Sequence, residues 1–143
     1  MNESRQNLMV AQRGLAAINE TYQSGDLDAW QRHVEEVFDP AVVLESETGA
    51  FTEGRWQGHD GAIAFVANQM EVLEGMWLRI DEYLEASENC LIVPVTFGGR
   101  ARHTGFELEL HPVHVFTLRD GKAVRWQIFP DREQADAAVA SGD

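Results

Sequence analysis

The sequence predicts an α+β domain in which three amino-terminal helices pack against one side of a curved antiparallel sheet. Three observations carry that prediction. Apolar residues recur at helical spacing through the first half of the chain, the period changes to two from Met76 onward, and Gly98-Gly99 inside a strand suggests a bulge that bends the sheet, while Pro94 and Pro112 each remove a ladder donor and mark an edge or irregularity.

Leu8, Ala11, Leu15, Ile18 and Tyr22 follow one another at alternating three- and four-residue steps, which puts them on one stripe of a helix over residues 4–23. Ser24-Gly25 stops it. Asp26 is the expected cap of a second helix with Leu27, Trp30, Val34 and Val37 facing inward, and Phe38-Asp39-Pro40 ends that one. Ala41 to Ser46 is a short β-rich run, followed by a polar, glycine-containing loop through Gly58. A third helix is expected from a cap at Asp60, with Ile63, Val66, Ala67, Met70 and Leu73 on its stripe and Gly75 just past its end.

Period-two runs then cover residues 76–85, 89–103, 105–118 and 122–129, with Asp120-Gly121 as a hairpin turn. That is an antiparallel meander. Asp131 and Gln134 form a capping pattern for a short helix ending near Val139. No internal repeat or low-complexity segment interrupts the series, so residues 1–143 are expected to form one domain, with an ordered core of about 4–139.

The chain carries 24 acidic and 11 basic side chains, a formal charge of −13, which repels a phosphate backbone or an anionic membrane surface over about a Debye length. Neither nucleic acid nor a membrane is an expected partner. No run approaches the ~18 apolar residues needed to span a bilayer. The first residues show no basic flank leading into an apolar stretch, and the one cysteine, Cys90, sits in an apolar run where it reads as a small core residue. A cytoplasmic location is therefore expected.

The most informative stretch is Phe106 to Leu118. Phe106, Leu108, Leu110, Pro112, His114, Phe116 and Leu118 share one face of a strand, while Glu107, Glu109, His111, Val113, Val115, Thr117 and Arg119 share the other. His114 is alone among apolar neighbours, and His111 points to the opposite side, so the two cannot jointly hold a metal. A histidine so placed is either a core residue satisfied by a hydrogen bond or a proton donor or acceptor lining a pocket. Leu91, Val93, Val95 and Phe97 on one strand and Val124, Trp126 and Ile128 on the last would wall such a pocket. Four Trp, seven Phe and two Tyr supply large apolar surfaces for it.

Ser24-Gly25-Asp26-Leu27-Asp28-Ala29, Phe38-Asp39-Pro40-Ala41-Val42, Gly58-His59-Asp60-Gly61-Ala62-Ile63 and His114 through Lys122 stand in an order and spacing that span nearly the whole chain. Together they resemble the SnoaL-like polyketide-cyclase and ketosteroid-isomerase branch of the nuclear-transport-factor-2-like superfamily. The resemblance implies a cone-shaped roll of cystatin-like type, a bent sheet wrapped by the three helices around a ligand cavity. It also implies a homodimer through the outer sheet face, where Val113 and Val115 lie.

By that resemblance Glu45 falls where the isomerases carry their carboxylate base, His114 where they carry a protonated aspartate, and Ile18 where they carry a tyrosine donor. Isoleucine donates nothing, which disfavours steroid isomerisation; Tyr22, one turn later, is the candidate replacement. Periodicity alone leaves Glu45 facing either the pocket or solvent, since Val42 and Leu44 are both apolar. Substrate contacts are expected from Ile18, Tyr22, Trp30, Trp56 and Phe65, and from Val93, Val95, Phe97, Leu110, Phe116, Trp126 and Ile128. Trp30, Trp56, Phe97, Phe116 and Trp126 would hold a planar or polycyclic ligand, with Trp56, in the loop, as a lid.

His59 reads as a solvated turn residue, His33 as a helix-flank residue and His103 as a hairpin-tip residue. Arg100 and Arg102 read as surface or dimer-contact residues that could also steer an anion. There is no zinc spacing, phosphate-binding glycine loop or Gly-x-Ser-x-Gly elbow, and no cofactor or metal is expected. The expected function is a small-molecule pocket protein, a cofactor-free isomerase, cyclase or dehydratase acting on an apolar carbonyl compound with Glu45 as base and His114 as acid. The alternative is a non-catalytic ligand-binding or interaction module on the same scaffold.

Overall fold

Four helices and eight strands make up the computed structural model, which describes residues 3–47 and 54–141. The apolar stripe read from residues 4–23 forms α1 (Glu3–Ser24), with Ala11, Leu15 and Ile18 buried beneath it. Helix α2 (Leu27–Val37) starts where Asp26 accepts the backbone N–H of Asp28 and of Ala29, both at 3.1 Å. Trp30, Val34 and Val37 turn inward from it.

Strand β1 (Phe38–Ser46) follows without a break, β2 (Gly54–Gln57) pairs back on it, and α3 (Gly58–Val72) begins directly after β2. The part of the expected loop at residues 48–53 lies outside the described residues; the part at 54–57 is strand. Asp60 is not the cap of α3. Gln57 occupies that position with no side-chain cap bond, and Asp60 stands one turn inside, close to the helix's positive end. The buried side of α3 is Ala62, Phe65, Val66 and Gln69, so the helix is rotated from the expected stripe, leaving Ile63, Ala67 and Met70 half-buried.

The remaining strands are β3 (Leu73–Ile80), β4 (Leu84–Ser87), β5 (Cys90–Ala101), β6 (Glu107–Leu110), β7 (Val113–Arg119) and β8 (Lys122–Phe129), and α4 (Arg132–Ala140) closes the series. The sheet runs β2-β1-β8-β7-β5-β3, with β4 and β6 also paired to β5. Every pairing is antiparallel except β1 with β8, which makes the sheet mixed.

Two strands expected to be continuous are each divided, and the reason lies in β5. Its first part pairs with β4 and β7 through residue 94, and its second part pairs with β3 from 95 and β6 from 97. Pro94 and Pro112 sit at that seam, where a missing N–H costs no ladder bond; their carbonyls instead accept from Asp81 N and Val95 N, both at 3.0 Å. The bulge expected at Gly98-Gly99 lies on the facing strand. Between Glu74 and Trp77 the register of β3 against β5 shifts, and Gly75 there takes φ 60°, the left-handed conformation that a bulge of this type requires of glycine.

Helices α1–α3 and the inner sheet face enclose the main core. A second, smaller core lies on the outer face, where Ile92, Val113, Val115 and Phe129 pack beneath Ala135 of α4. The two valines assigned to a dimer face are thus covered by a helix of their own chain. Asp131 caps that helix through Gln134 N at 2.9 Å. No described helix is long and apolar enough to cross a membrane.

Candidate functional site

Pairing across the sheet decides which side chains face the helices. Leu44 lies beside Trp126 and Ser46 beside Ile128 in the parallel β1–β8 ladder, so these four point inward together. Glu45, between Leu44 and Ser46, must point outward, and its Oε1 accepts from Arg125 Nε at 3.0 Å and Nη2 at 2.8 Å on the outer face. Glu45 does not face His114 across a common hollow. The outward alternative that periodicity left open is the one found.

The inward residues leave a hollow between the sheet, α1 and α3. Tyr22, Phe65 and Gln69 form its helical wall, and Ser46, His114, Trp126 and Ile128 its sheet wall. Leu78, Phe97, Leu110 and Pro112 surround its outer end at the seam of β5, where Leu110 is 37% exposed. The space open to the centres of water molecules is about 30 Å³, room for about two waters at ~10–15 Å³ each. Among the described residues, no carboxylate, ammonium or guanidinium lines it.

Six of the residues expected to contact a ligand therefore line this hollow: Tyr22, Phe65, Phe97, Leu110, Trp126 and Ile128. Ile18, Trp30, Val93, Val95 and Phe116 are buried in the packed core instead. Trp30 donates its Nε1–H to Ala62 O at 3.2 Å and ties α2 to α3. Trp56 is not a loop residue over the mouth. It stands on β2, half-buried, with its ring edge-on to Phe65 at 4.9 Å. A polycyclic ligand held by these rings does not fit, because the rings pack on one another: Phe38, Phe116 and His114 each stack on Trp126, with centroids 5.4, 5.7 and 5.8 Å away.

His114 is the polar centre of the sheet wall. It is buried, and its Nδ1 accepts the indole Nε1–H of Trp126 at 2.8 Å. Burial pushes its pKa down to about 3, so the imidazole is neutral at working pH. A neutral ring whose Nδ1 accepts must carry its proton on Nε2, which has no partner among the described residues. In that state the ring is a hydrogen-bond donor through Nε2.

Gln69 is the residue that pattern reading missed. It is 5% exposed, and its Oε1 accepts the phenol O–H of Tyr22 at 2.7 Å, which leaves the amide Nε2 as a second donor without a described partner. Burial raises the Tyr22 pKa well above its ordinary value, so the phenol stays protonated. The signal for Gln69 was present in its spacing, four residues after Phe65 and three after Val66 on one helical face. Ser46 and Leu78 continue strand alternations in the same way.

The other histidines lie elsewhere. His59 is in the first turn of α3, half-buried, with Nε2 2.7 Å from Phe38 O, so it is a structural donor and not a solvated turn residue. His111 Nδ1 is 3.3 Å from Thr96 Oγ1 on the outer face. Arg100 and Arg102 pair with Glu74 at 3.1 and 3.4 Å. Among the described residues, no group of three or more metal-ligating side chains converges.

A bent sheet wrapped by three helices, with one narrow hollow between them, agrees with a family match. The SnoaL-like domain family matches residues 15–126, most of the chain. The chain belongs to the SnoaL-like domain family. Solved structures share the fold of this SnoaL-like chain. An NTF2-like protein of unknown function from Burkholderia pseudomallei K96243 is 24% identical, covering 92% of this chain and 95% of that one with a TM-score of 0.70. A protein described as a SnoaL-like polyketide cyclase from Jannaschia sp. CCS1 is 19% identical over 94% of this chain and 92% of that one, TM-score 0.71. A third, with a ketosteroid isomerase-like fold, from Catenulispora acidiphila DSM 44928 in complex with trimethylamine, is 10% identical over 81% and 83%, TM-score 0.67. At these identities the likeness is one of fold. No curated protein sequence matches the chain.

Proposed function

We propose that this SnoaL-like chain binds a compact, uncharged, mostly apolar molecule bearing a carbonyl group, whose oxygen accepts hydrogen bonds from His114 Nε2–H and Gln69 Nε2–H. The observation that carries the reading is the pair of N–H donors on the buried residues His114 and Gln69, neither with a described partner, beside one apolar hollow. A ligand oxygen would accept from both in place of water. An anion is disfavoured because the described lining holds no cation, and a large polycycle because the space admits about two waters.

A second reading, a cofactor-free isomerase, cyclase or dehydratase, draws on the same donors, since a hydrogen bond that holds a ketone also stabilises the enolate oxygen formed from it. The polyketide cyclase assignment of the Jannaschia protein accords with it. Proton abstraction also needs a base. Glu45 is engaged by Arg125 on the outer face and the His114 Nδ1 lone pair is engaged by Trp126, so ligand binding is the reading that the geometry favours.

The test is a titration of ¹⁵N-histidine-labelled protein with acetaldehyde, propanal, acetone and methyl formate, carbonyl compounds of three or four heavy atoms. The His114 Nε2–H resonance should shift saturably with at least one of them, and His114→Phe should abolish the accompanying thermal stabilisation. If none of the four moves that resonance up to its solubility limit, the reading is wrong.

A further inference from the structure

Strand β6 pairs with β5 and, among the described residues, with no other strand. Ala101 N donates to Phe106 O at 2.9 Å, and the register sets Gly99 opposite Leu108 and Phe97 opposite Leu110. In an antiparallel ladder only alternate residues exchange bonds with the neighbouring strand, so Phe106, Leu108 and Leu110 bond toward β5. The backbone N–H and C=O groups of Glu107 and Glu109 therefore point away from the sheet, along an open edge.

Sheet edges are commonly closed to other chains by charge, by a bulge or by a covering element. Here the guard is of one sign. Glu107 and Glu109 are exposed on the outer face of β6, while its inner face carries Phe106, 68% exposed, and Leu110. Beside the two glutamates an open groove of about 430 Å³ runs past Trp77. Glu74, in the same groove, is satisfied by Arg100 and Arg102. Glu107 has no described ion-pair partner, and Glu109 has only the imidazole of His111, 3.6 Å away.

We propose that the β6 edge is a docking site for an extended basic segment of another protein, which adds a strand alongside Glu107–Leu110. Its main chain meets the open N–H and C=O groups, Lys or Arg at alternate positions meets Glu107 and Glu109, and the apolar residues between them cover Phe106 and Leu110. The stems of the basic side chains lie in the groove along the Trp77 indole, with their charged ends among the carboxylates. A second copy of this chain does not suit the edge. Pairing β6 antiparallel with itself brings Glu107 and Glu109 onto those of the other copy, and like charges directly opposite are destabilising. The formal charge of −13 acts the same way, drawing a basic partner in and holding another copy off.

The test titrates the full ¹⁵N-labelled chain with a peptide capped at both ends, Ser-Val-Lys-Val-Lys-Val-Ser. Binding should saturate, and solvent exchange of the Glu107 and Glu109 amide protons should slow by about tenfold or more. The analogue with Glu in place of Lys should bind about tenfold more weakly, and the double variant Glu107→Lys, Glu109→Lys should reverse that preference. Glu109→Pro removes an outward N–H without touching a bond to β5 and should weaken the lysine peptide about fivefold. The exchange measurement on the native chain stands even if that variant folds poorly. Absence of saturable binding overturns the proposal. Binding that leaves the Glu107 and Glu109 amides exchanging as before also overturns it, because that is adsorption to an acidic surface without strand addition. Protection of those amides that needs no peptide and rises with protein concentration overturns it in favour of self-pairing.

Discussion

Trp126 donates its indole N–H to Nδ1 of His114 across the β7–β8 ladder at 2.8 Å, and that single bond fixes which imidazole nitrogen carries the proton. In the ¹⁵N spectrum of the native protein, His114 should therefore show a protonated Nε2 and an unprotonated Nδ1. Trp126→Phe removes the donor and leaves a gap in a stack shared with Phe38, Phe65 and Phe116. The variant should lose roughly 2–4 kcal/mol of stability and show a mixture of tautomers. A native spectrum with the proton on Nδ1 would contradict the arrangement outright.

The depressed His114 pKa has a direct consequence for stability against pH. In the unfolded chain the imidazole takes up a proton below about 6.5, whereas in the folded protein it resists until about 3. Between those values the unfolded state binds more protons, so stability rises with pH, by at most ~1.4 kcal/mol per unit, and this gain is complete above about 6.5. Carboxylates add their own acid dependence. Subtracting the urea-denaturation profile of His114→Gln from that of the native protein isolates the histidine. The difference should slope between pH 3 and 6 and flatten above 7; parallel profiles would refute the burial of a neutral ring.

The outward setting of Glu45 makes a contrasting prediction. Glu45→Gln breaks an ion pair whose two side chains are about one-third exposed, and pairs of that kind contribute roughly 1 kcal/mol or less. The melting temperature should move by only a few degrees and ketone binding should be unchanged. A tenfold loss of ketone affinity in Glu45→Gln would place the carboxylate in the hollow after all.

The residues explain which parts of this were legible in the sequence. The helix starts at Asp26 and Asp131 rest on local cap geometry, and the stripe of α1 on simple periodicity, so both could be read directly. Residues 76–85 and 105–118 looked continuous because a strand's division depends on its neighbour. Only β5, passing from one pair of partners to another beside Pro94, shows why they split. Glu45 was undecidable because the inward direction is set by the parallel register of β1 on β8, a long-range pairing that alternation of Val42, Val43 and Leu44 does not encode. His114 stood out as a polar residue among apolar ones. Gln69 satisfied the same criterion, but on a stripe drawn one residue out of phase it fell off the buried face.

Gly98 tests the packing of the bent half of the sheet. The indole of Trp77, directly opposite on β3, lies over it so closely that a Cβ added at Gly98 would come within 2.5 Å of Trp77 Nε1 and Cζ2. Trp77 is a rigid bicyclic ring, so relief requires the ring or the strand to move, and Gly98→Ala should cost roughly 1–3 kcal/mol. Gly99→Ala is the internal comparison. Its added Cβ meets Met76 Cγ at 3.1 Å, the middle of a flexible side chain that can yield, and the expected cost is smaller. If the contact with the ring is the cause, Trp77→Ala should suppress most of the Gly98→Ala effect, a coupling that a double-mutant cycle measures by urea denaturation. Equal losses at Gly98 and Gly99, or additivity of Gly98→Ala with Trp77→Ala, would show that the glycine is kept for backbone reasons and not to seat the indole.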